Sequence, residues 1–286
     1  MTGNERWRIG AQTINGFSQF YRDWQPPDET GLPVLALHGS LTQSGSWIAF
    51  AEAVGSIRML CPDQRGFGLS EDPGGDSCAA FASDAVTLAR DLLPPRFAVM
   101  GHSFACSIAL EVARAAADRV AAVVLVDPVV PVRKPGSPTA PPVLAYAESF
   151  ATLADAERHF RDTEEGAWPG DTLARFTRDV MLRDGESGPW HLPYTLDRLR
   201  RLRAFTASPD SDYKLLAKAK DVRCPVLVFR GGASKRFPAE AEQLLAEAFP
   251  AKPEIVVCPT SGHFPANTET AIVAEALKRF LSGLNG

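Results

Sequence analysis

Short apolar runs punctuate the first half of the chain: Val34 to Leu37, Phe97 to Met100 and Val120 to Val126, with Ile57 to Cys61 broken only by Arg58. Runs without in–out alternation predict interior strands of a parallel sheet, buried on both faces. Between them lie stretches with helical spacing: Trp47 to Val54, Phe81 to Leu93 and Ile108 to Ala117. Pro94-Pro95 stops the second of these, because proline cannot continue a helix. Two further strands are predicted around Trp7 to Ile9 and over Phe17 to Trp24, with Asn15-Gly16 as the turn signal between them. Strand and helix thus alternate through short loops, the pattern of a sheet covered by helices on both faces.

The rhythm breaks at Val129. Residues 129–142 contain five prolines and little periodicity. Helices are then predicted over Val143 to Phe160, Asp171 to Arg183 and Leu196 to Phe205, with no strand before Val226. Alternation resumes with a strand at Val226 to Phe229, a helix at Ala239 to Phe249, a strand at Glu254 to Cys258 and a closing helix at Thr270 to Leu281. The expected architecture is α/β: a mostly parallel central sheet in a core domain of residues 1–128 and 221–286, with a helical cap of residues 129–220. A cap entering after a strand's C-terminal end is expected over the rim where α/β sheets bind ligands. Trp190, Tyr194, Phe205 and Tyr213 are candidates either for its cavity wall or for its own core.

Composition narrows the functional classes. The 286 residues are 45% hydrophobic and 22% charged, with a formal net charge of -4. Basic residues form no stripe, so nucleic acid is not an expected partner. No run approaches the roughly 18 apolar residues of a membrane span. The first residues, Met1 to Trp7, lack the apolar centre of a signal peptide, so a cytoplasmic location is expected. Five cysteines, Cys61, Cys78, Cys106, Cys224 and Cys258, are scattered without ligand spacing and read as small hydrophobes, not as a disulfide framework or zinc knot.

The chemistry gathers at Gly101-His102-Ser103-Phe104-Ala105, between a predicted strand and a predicted helix. A tight strand–turn–helix junction can hold a serine hydroxyl clear of the backbone and aim the next amide into the same space. Serine at such a boundary also serves as a plain helix cap, and the rest of the chain must decide between the two. A serine nucleophile needs a base, and the chain has five histidines. His38 lies within a strand-to-loop turn, His102 adjoins Ser103 with its side chain expected to point away, and His159 and His191 fall in the insertion. His263, in a loop between the last strand and a helix, is the one placed to reach Ser103.

Five features in this order resemble the α/β-hydrolase superfamily, and within it the cap-bearing serine esterase, lactonase and C–C hydrolase group. They are His38-Gly39 after a strand, Asp63-x-Arg65-Gly66-x-Gly68-x-Ser70, the Gly101 to Ala105 turn, Asp127 after a strand, and Ser261-Gly262-His263. The resemblance implies Ser103 as nucleophile, His263 as base and the amides of Ser40 and Phe104 as an oxyanion hole. It also implies a loop network around Asp63, Arg65 and Ser70, with a local carboxylate for Arg65.

Two positions depart from the pattern. Ala105 stands where the family has the closing glycine of the turn, a difference of one methyl group. Ser234 stands at the usual position of the acid, followed by Lys235-Arg236 with no carboxylate before Glu240. Asp127, at the end of the strand after the Ser103 helix, is therefore the expected acid, since some members of the superfamily carry it there. Arg230 and Lys235-Arg236 lie near the mouth, where solvated surface is their ordinary role and reception of an acidic substrate the other reading.

The expected function is hydrolysis of a carboxylic ester or lactone of a small, mostly apolar substrate through an acyl-enzyme, in a monomer or homodimer. Such a triad needs no metal or organic cofactor. A serine at position 103 speaks against the dehalogenase and epoxide hydrolase branches, which use aspartate there. Cleavage of a C–C bond in a diketone shares the same triad and fold and stays open. So does a non-catalytic small-molecule binder retaining the shell, for which the missing acid at Ser234 is the best support.

Overall fold

Asn15 and Gly16 both adopt positive φ, 49° and 88°, the backbone that a two-residue hairpin turn matching strand twist requires. They join β1 (Trp7–Ile14) to β2 (Phe17–Trp24), paired antiparallel from Trp7↔Trp24 to Ile14↔Phe17. The chain is described here by a computed structural model covering residues 6–130, 147, 149–163 and 167–284. β2 pairs antiparallel with β4 (Met59–Pro62). The strands that follow are all parallel: β3 (Val34–Leu37), β5 (Phe97–His102), β6 (Val120–Val126), β10 (Val226–Gly231) and β11 (Glu254–Cys258). The sheet order is β1-β2-β4-β3-β5-β6-β10-β11.

Successive residues of the inner strands feed two separate cores, as strand geometry demands. Leu35, Leu37, Val99, Val123, Leu125 and Val228 pack on one face with α2 (Cys78–Leu92), α3 (Ala105–Ala115) and α8 (Ala241–Ala248). Ala36, Met100, Val124, Val126, Leu227 and Phe229 pack on the other with α1 (Ile48–Val54) and α9 (Thr270–Ser282). Each fully buried Val or Leu is worth roughly 1.5–3 kcal/mol over an exposed one, which makes the unbroken runs the main stabilising feature of the sheet. The expected α/β architecture, with a helical insertion after β6, is the one observed.

The insertion holds α4 (Leu153–Thr163), α5 (Thr172–Val180), α6 (Leu196–Ala207) and α7 (Leu215–Ala219). It also holds what the sequence reading excluded, strands before Val226: a small antiparallel sheet of β7 (Ser149–Phe150), β8 (Leu182–Arg183) and β9 (Trp190–His191) in the order β7-β9-β8. Two-residue strands are too short for alternation to appear in a sequence. β8 also explains why α5 ends at Val180 and not at Arg183. Of the helix predicted over Val143 to Phe160, residues 143–146 and 148 lie outside the described residues, and the rest becomes helical only from Leu153.

Cap and core share one hydrophobic cluster, in which Phe160, Phe176, Tyr194 and Leu199 join the α2–α3 face. Polar contacts tie them as well. The Asp212 carboxylate accepts from Cys78 N and Ala79 N at 2.8 and 2.9 Å, at the positive end of α2. Gly68 N donates to Pro193 O at 2.6 Å, Gln43 Nε2 donates to Asp179 O at 2.9 Å, and buried Arg198 pairs with Asp76. The five cysteines are free thiols, four of them buried. Among the described residues no helix is long and apolar enough to cross a membrane.

Candidate active site

β5 and β6 run in register, with His102 opposite Val126, so the residues that follow, Ser103 and Asp127, leave the sheet at the same rim. Ser103 has φ 59° and donates its amide to Val126 O at 3.0 Å; Asp127 has φ 45° and donates its amide to Phe229 O at 2.8 Å. Left-handed backbone at a non-glycine costs on the order of 1–3 kcal/mol and persists where the surroundings over-determine it. The Ser103 turn is tight enough that a Cβ on Gly101 would lie 2.3 Å from Ala105 O. Ala105 itself is buried as the first residue of α3, so its extra methyl is accommodated, and the helix starts there, three residues before the predicted Ile108.

The three side chains are in contact. His263 Nε2 lies 2.8 Å from Ser103 Oγ, and its Nδ1 lies 2.6 Å from Asp127 Oδ2. Asp127 is fully buried and His263 is 6% exposed. A carboxylate only accepts, so Nδ1 carries the imidazole proton and Nε2 presents a lone pair to the serine hydroxyl. Ser234 lies inside this network: its Oγ donates to Asp127 Oδ2 at 2.6 Å, while Gly231 N donates to Asp127 Oδ1 at 2.9 Å. The hydroxyl at the position where the resemblance expects an acid thus binds the Asp127 carboxylate. Its lone pairs in turn accept from Arg236 N and Phe237 N at 3.1 and 3.3 Å.

Two other histidines brace the site without touching the Ser103 hydroxyl. His102 Nε2 donates to His263 O at 2.7 Å, and the two rings lie 4.8 Å apart. Burial, then the neighbouring His263, pushes its pKa well below the usual value, so it is neutral. This contact from residue 102 to the backbone of residue 263 has no signature in the sequence. His38 accepts from Gln64 N at Nε2 (2.9 Å) and donates from Nδ1 to Gly39 O (2.8 Å), fixing the loop that carries Ser40. Burial lowers its pKa to about 4, against opposing pulls from Asp63 and the Gly39 carbonyl.

The folded-state value lies below the unfolded one, so His38 stabilises fully above pH 6.5 and that stability is lost as pH falls toward 4. Between pH 7 and pH 5 this one group removes about 2 kcal/mol. Urea unfolding at the two pH values should show the loss, and a His38→Gln protein should show a smaller one. An equal loss in both proteins would assign the pH dependence to other groups.

Asp63 organises the neighbouring loop, accepting from Ser44 N and Leu69 N at 2.8 Å each, and Ser70 Oγ donates to its carbonyl at 2.7 Å. The partner of Arg65 is Asp84 on α2, at 2.6 and 2.8 Å. Arg230 is buried and paired with Glu242, and so is not solvated surface.

A cavity of about 110 Å³ opens beside Ser103. Its walls include Ser40, Leu41, Phe104, His263, Phe264, Arg203 from α6 and Arg236. Among the described residues, neither the Ser40 amide nor the Phe104 amide has a hydrogen-bond acceptor. None of Trp190, Tyr194, Phe205 and Tyr213 lines this cavity. Tyr213 packs on Phe104 and Phe205, and Tyr194 on Phe67, in the shared core. Among the described residues no group of three or more His, Cys, Asp or Glu could hold a metal ion.

Comparison with known proteins agrees with this architecture. The profile of the alpha/beta hydrolase family matches residues 34–276. A non-heme chloroperoxidase of Streptomyces lividans is 31% identical over 252 residues, spanning 82% of this chain and 87% of the relative. An alpha/beta hydrolase from Novosphingobium aromaticivorans superposes with a TM-score of 0.76 at 23% identity, over 97% of this chain and 98% of its own. A thioesterase domain from the curacin biosynthetic pathway also gives 0.76, at 17% identity over 96% and 99% of the two chains.

Proposed function

The chain belongs to the alpha/beta hydrolase family, and from that premise we propose that it is a serine hydrolase cleaving a carboxylic ester of a small substrate through an acyl-enzyme on Ser103. The observation that carries this reading is the unbroken chain of contacts from Ser103 Oγ through the His263 ring to Asp127. In it, His263 Nε2 takes the hydroxyl proton as Ser103 Oγ bonds to the acyl carbon. The carbonyl oxygen becomes an oxyanion within reach of the Ser40 and Phe104 amides, each such donor being worth about 3 kcal/mol in comparable sites. The imidazolium, held by Asp127, returns its proton to the departing alkoxide. Water then gives its proton to the same Nε2 as it attacks the acyl-enzyme, and Ser103 is released with its proton restored.

In this reading residues 1–128 and 221–286 are the core and residues 129–220 the cap, which contributes Val129 and Arg203 to the cavity wall. The ester reading is preferred to a binding-only role because the acid missing at Ser234 is supplied at Asp127, in contact with His263. A fluorophosphonate, which phosphonylates an activated serine, is the direct test. Mass spectrometry should find one adduct, on the peptide containing Ser103, and none after Ser103→Ala substitution. Failure of wild-type protein to label, or labelling of another serine, would refute the assignment.

A further inference from the structure

The cavity beside Ser103 is lined by two cations, Arg203 and Arg236, and by no carboxylate among the described residues. This runs against the charge of the molecule as a whole, which is -4. The two guanidinium groups arrive from different parts of the fold, Arg203 from the cap helix α6 and Arg236 from the loop after β10. The backbone of Arg236 is fixed at both polar atoms: its amide donates to Ser234 Oγ at 3.1 Å, and its carbonyl accepts from Val130 N at 3.2 Å. Nearby Arg230 is occupied by Glu242 and the Gly231 carbonyl. Among the described residues no carboxylate lies within ion-pair distance of the Arg236 side chain. The remaining walls, Leu41, Phe104 and Phe264, are apolar. An arginine at a low-dielectric wall seeks a planar anion that it can grip with two parallel N–H donors.

We propose that the substrate is an ester bearing a free carboxylate, held across the cavity by Arg203 and Arg236 while its ester carbonyl meets Ser103. The proposal deepens the serine hydrolase reading and rests on it for taking this cavity as the substrate site. It replaces the expectation of a mostly apolar substrate with a compact anionic one. The loop relieved of the acid at Ser234 becomes the loop that reads the substrate's charge.

The test compares monoethyl glutarate with its neutral terminal amide, a pair differing in charge but hardly in shape. The kcat/KM ratio should favour the anion by roughly tenfold or more at low salt, as hydrogen bonds to a charged group warrant. That ratio should shrink as salt is added. It should fall toward one in Arg236→Gln and in Arg203→Gln, and part of it should survive in Arg236→Lys, which keeps the charge and loses the fork. A wild-type ratio near one, or a ratio unmoved by both glutamine variants, overturns the proposal. Calorimetric titration of glutarate into the Ser103→Ala protein supplies a readout without turnover. Binding weakened at least tenfold by adding Arg236→Gln supports the anion site, and no binding, or binding indifferent to both arginines, refutes it. Inactivity toward both esters together with arginine-dependent glutarate binding would sink the hydrolase reading alone.

Discussion

The Ser103→Ala protein is expected to fold normally and to lose about 10⁶-fold in kcat on a p-nitrophenyl ester, the scale seen when a serine nucleophile is deleted. Removing Oγ leaves His263 Nε2 with no hydroxyl to deprotonate, and only the amides of Ser40 and Phe104 remain to assist attack by water. The fold should tolerate the change, because the φ of 59° at residue 103 strains serine and alanine alike. Parallel measurement of kcat and of the urea midpoint separates the two effects. Retention of more than a tenth of the rate, with the fold intact, would show that Ser103 is not the nucleophile.

Asp127→Asn should cost about 10⁴-fold in kcat, the loss measured for the equivalent exchange in a serine protease. The mechanism can be read from the hydrogen bonds. Gly231 N donates to Oδ1 at 2.9 Å, so asparagine must keep its carbonyl oxygen there and turn its amide nitrogen toward His263. That nitrogen is a donor, which forces Nδ1 to accept and moves the ring proton to Nε2, where it blocks removal of the serine proton. The Ser234 hydroxyl faces the same new donor and already accepts two backbone amides, so the variant also disturbs that loop. Rates followed from pH 5 to 10 should stay depressed at neutral pH. A nearly unchanged rate would remove Asp127 from the mechanism and send the search for an acid elsewhere.

Much of the fold could be read in advance because its strands are buried on both faces. Val34 to Leu37 and Val120 to Val126 had no polar residues to confuse the pattern, and Asn15-Gly16 marked its hairpin unambiguously. What escaped was short or depended on distant partners. The two-residue strands at Ser149, Leu182 and Trp190 carry no period, and α7 is only five residues long. The start of α3 was missed because Ala105, Cys106 and Ser107 are all small and show no stripe. At the candidate site, local motifs around Ser103, His263 and Asp127 named the three residues whose side chains meet. Their neighbours were not legible in the same way. The bond from Ser234 to Asp127 spans 107 residues and that from His102 to His263 spans 161, and no local rule links such positions. The aromatic residues of the cap are the natural candidates for a cavity wall by composition, yet Trp190, Tyr194 and Tyr213 pack into or against the shared core, and Arg203 lines the cavity beside Ser103.

Placement of Ser103 and Asp127 on adjoining strands has a consequence for the order in which the protein becomes competent during synthesis. Both positions, with the β5–β6 ladder that aligns them, leave the ribosome early, whereas His263 follows Ser103 by 160 residues. A nascent chain therefore displays its hydroxyl and its carboxylate long before any imidazole can join them. On the serine hydrolase reading proposed above, Ser103 stays an ordinary alcohol until the segment carrying His263 docks against it.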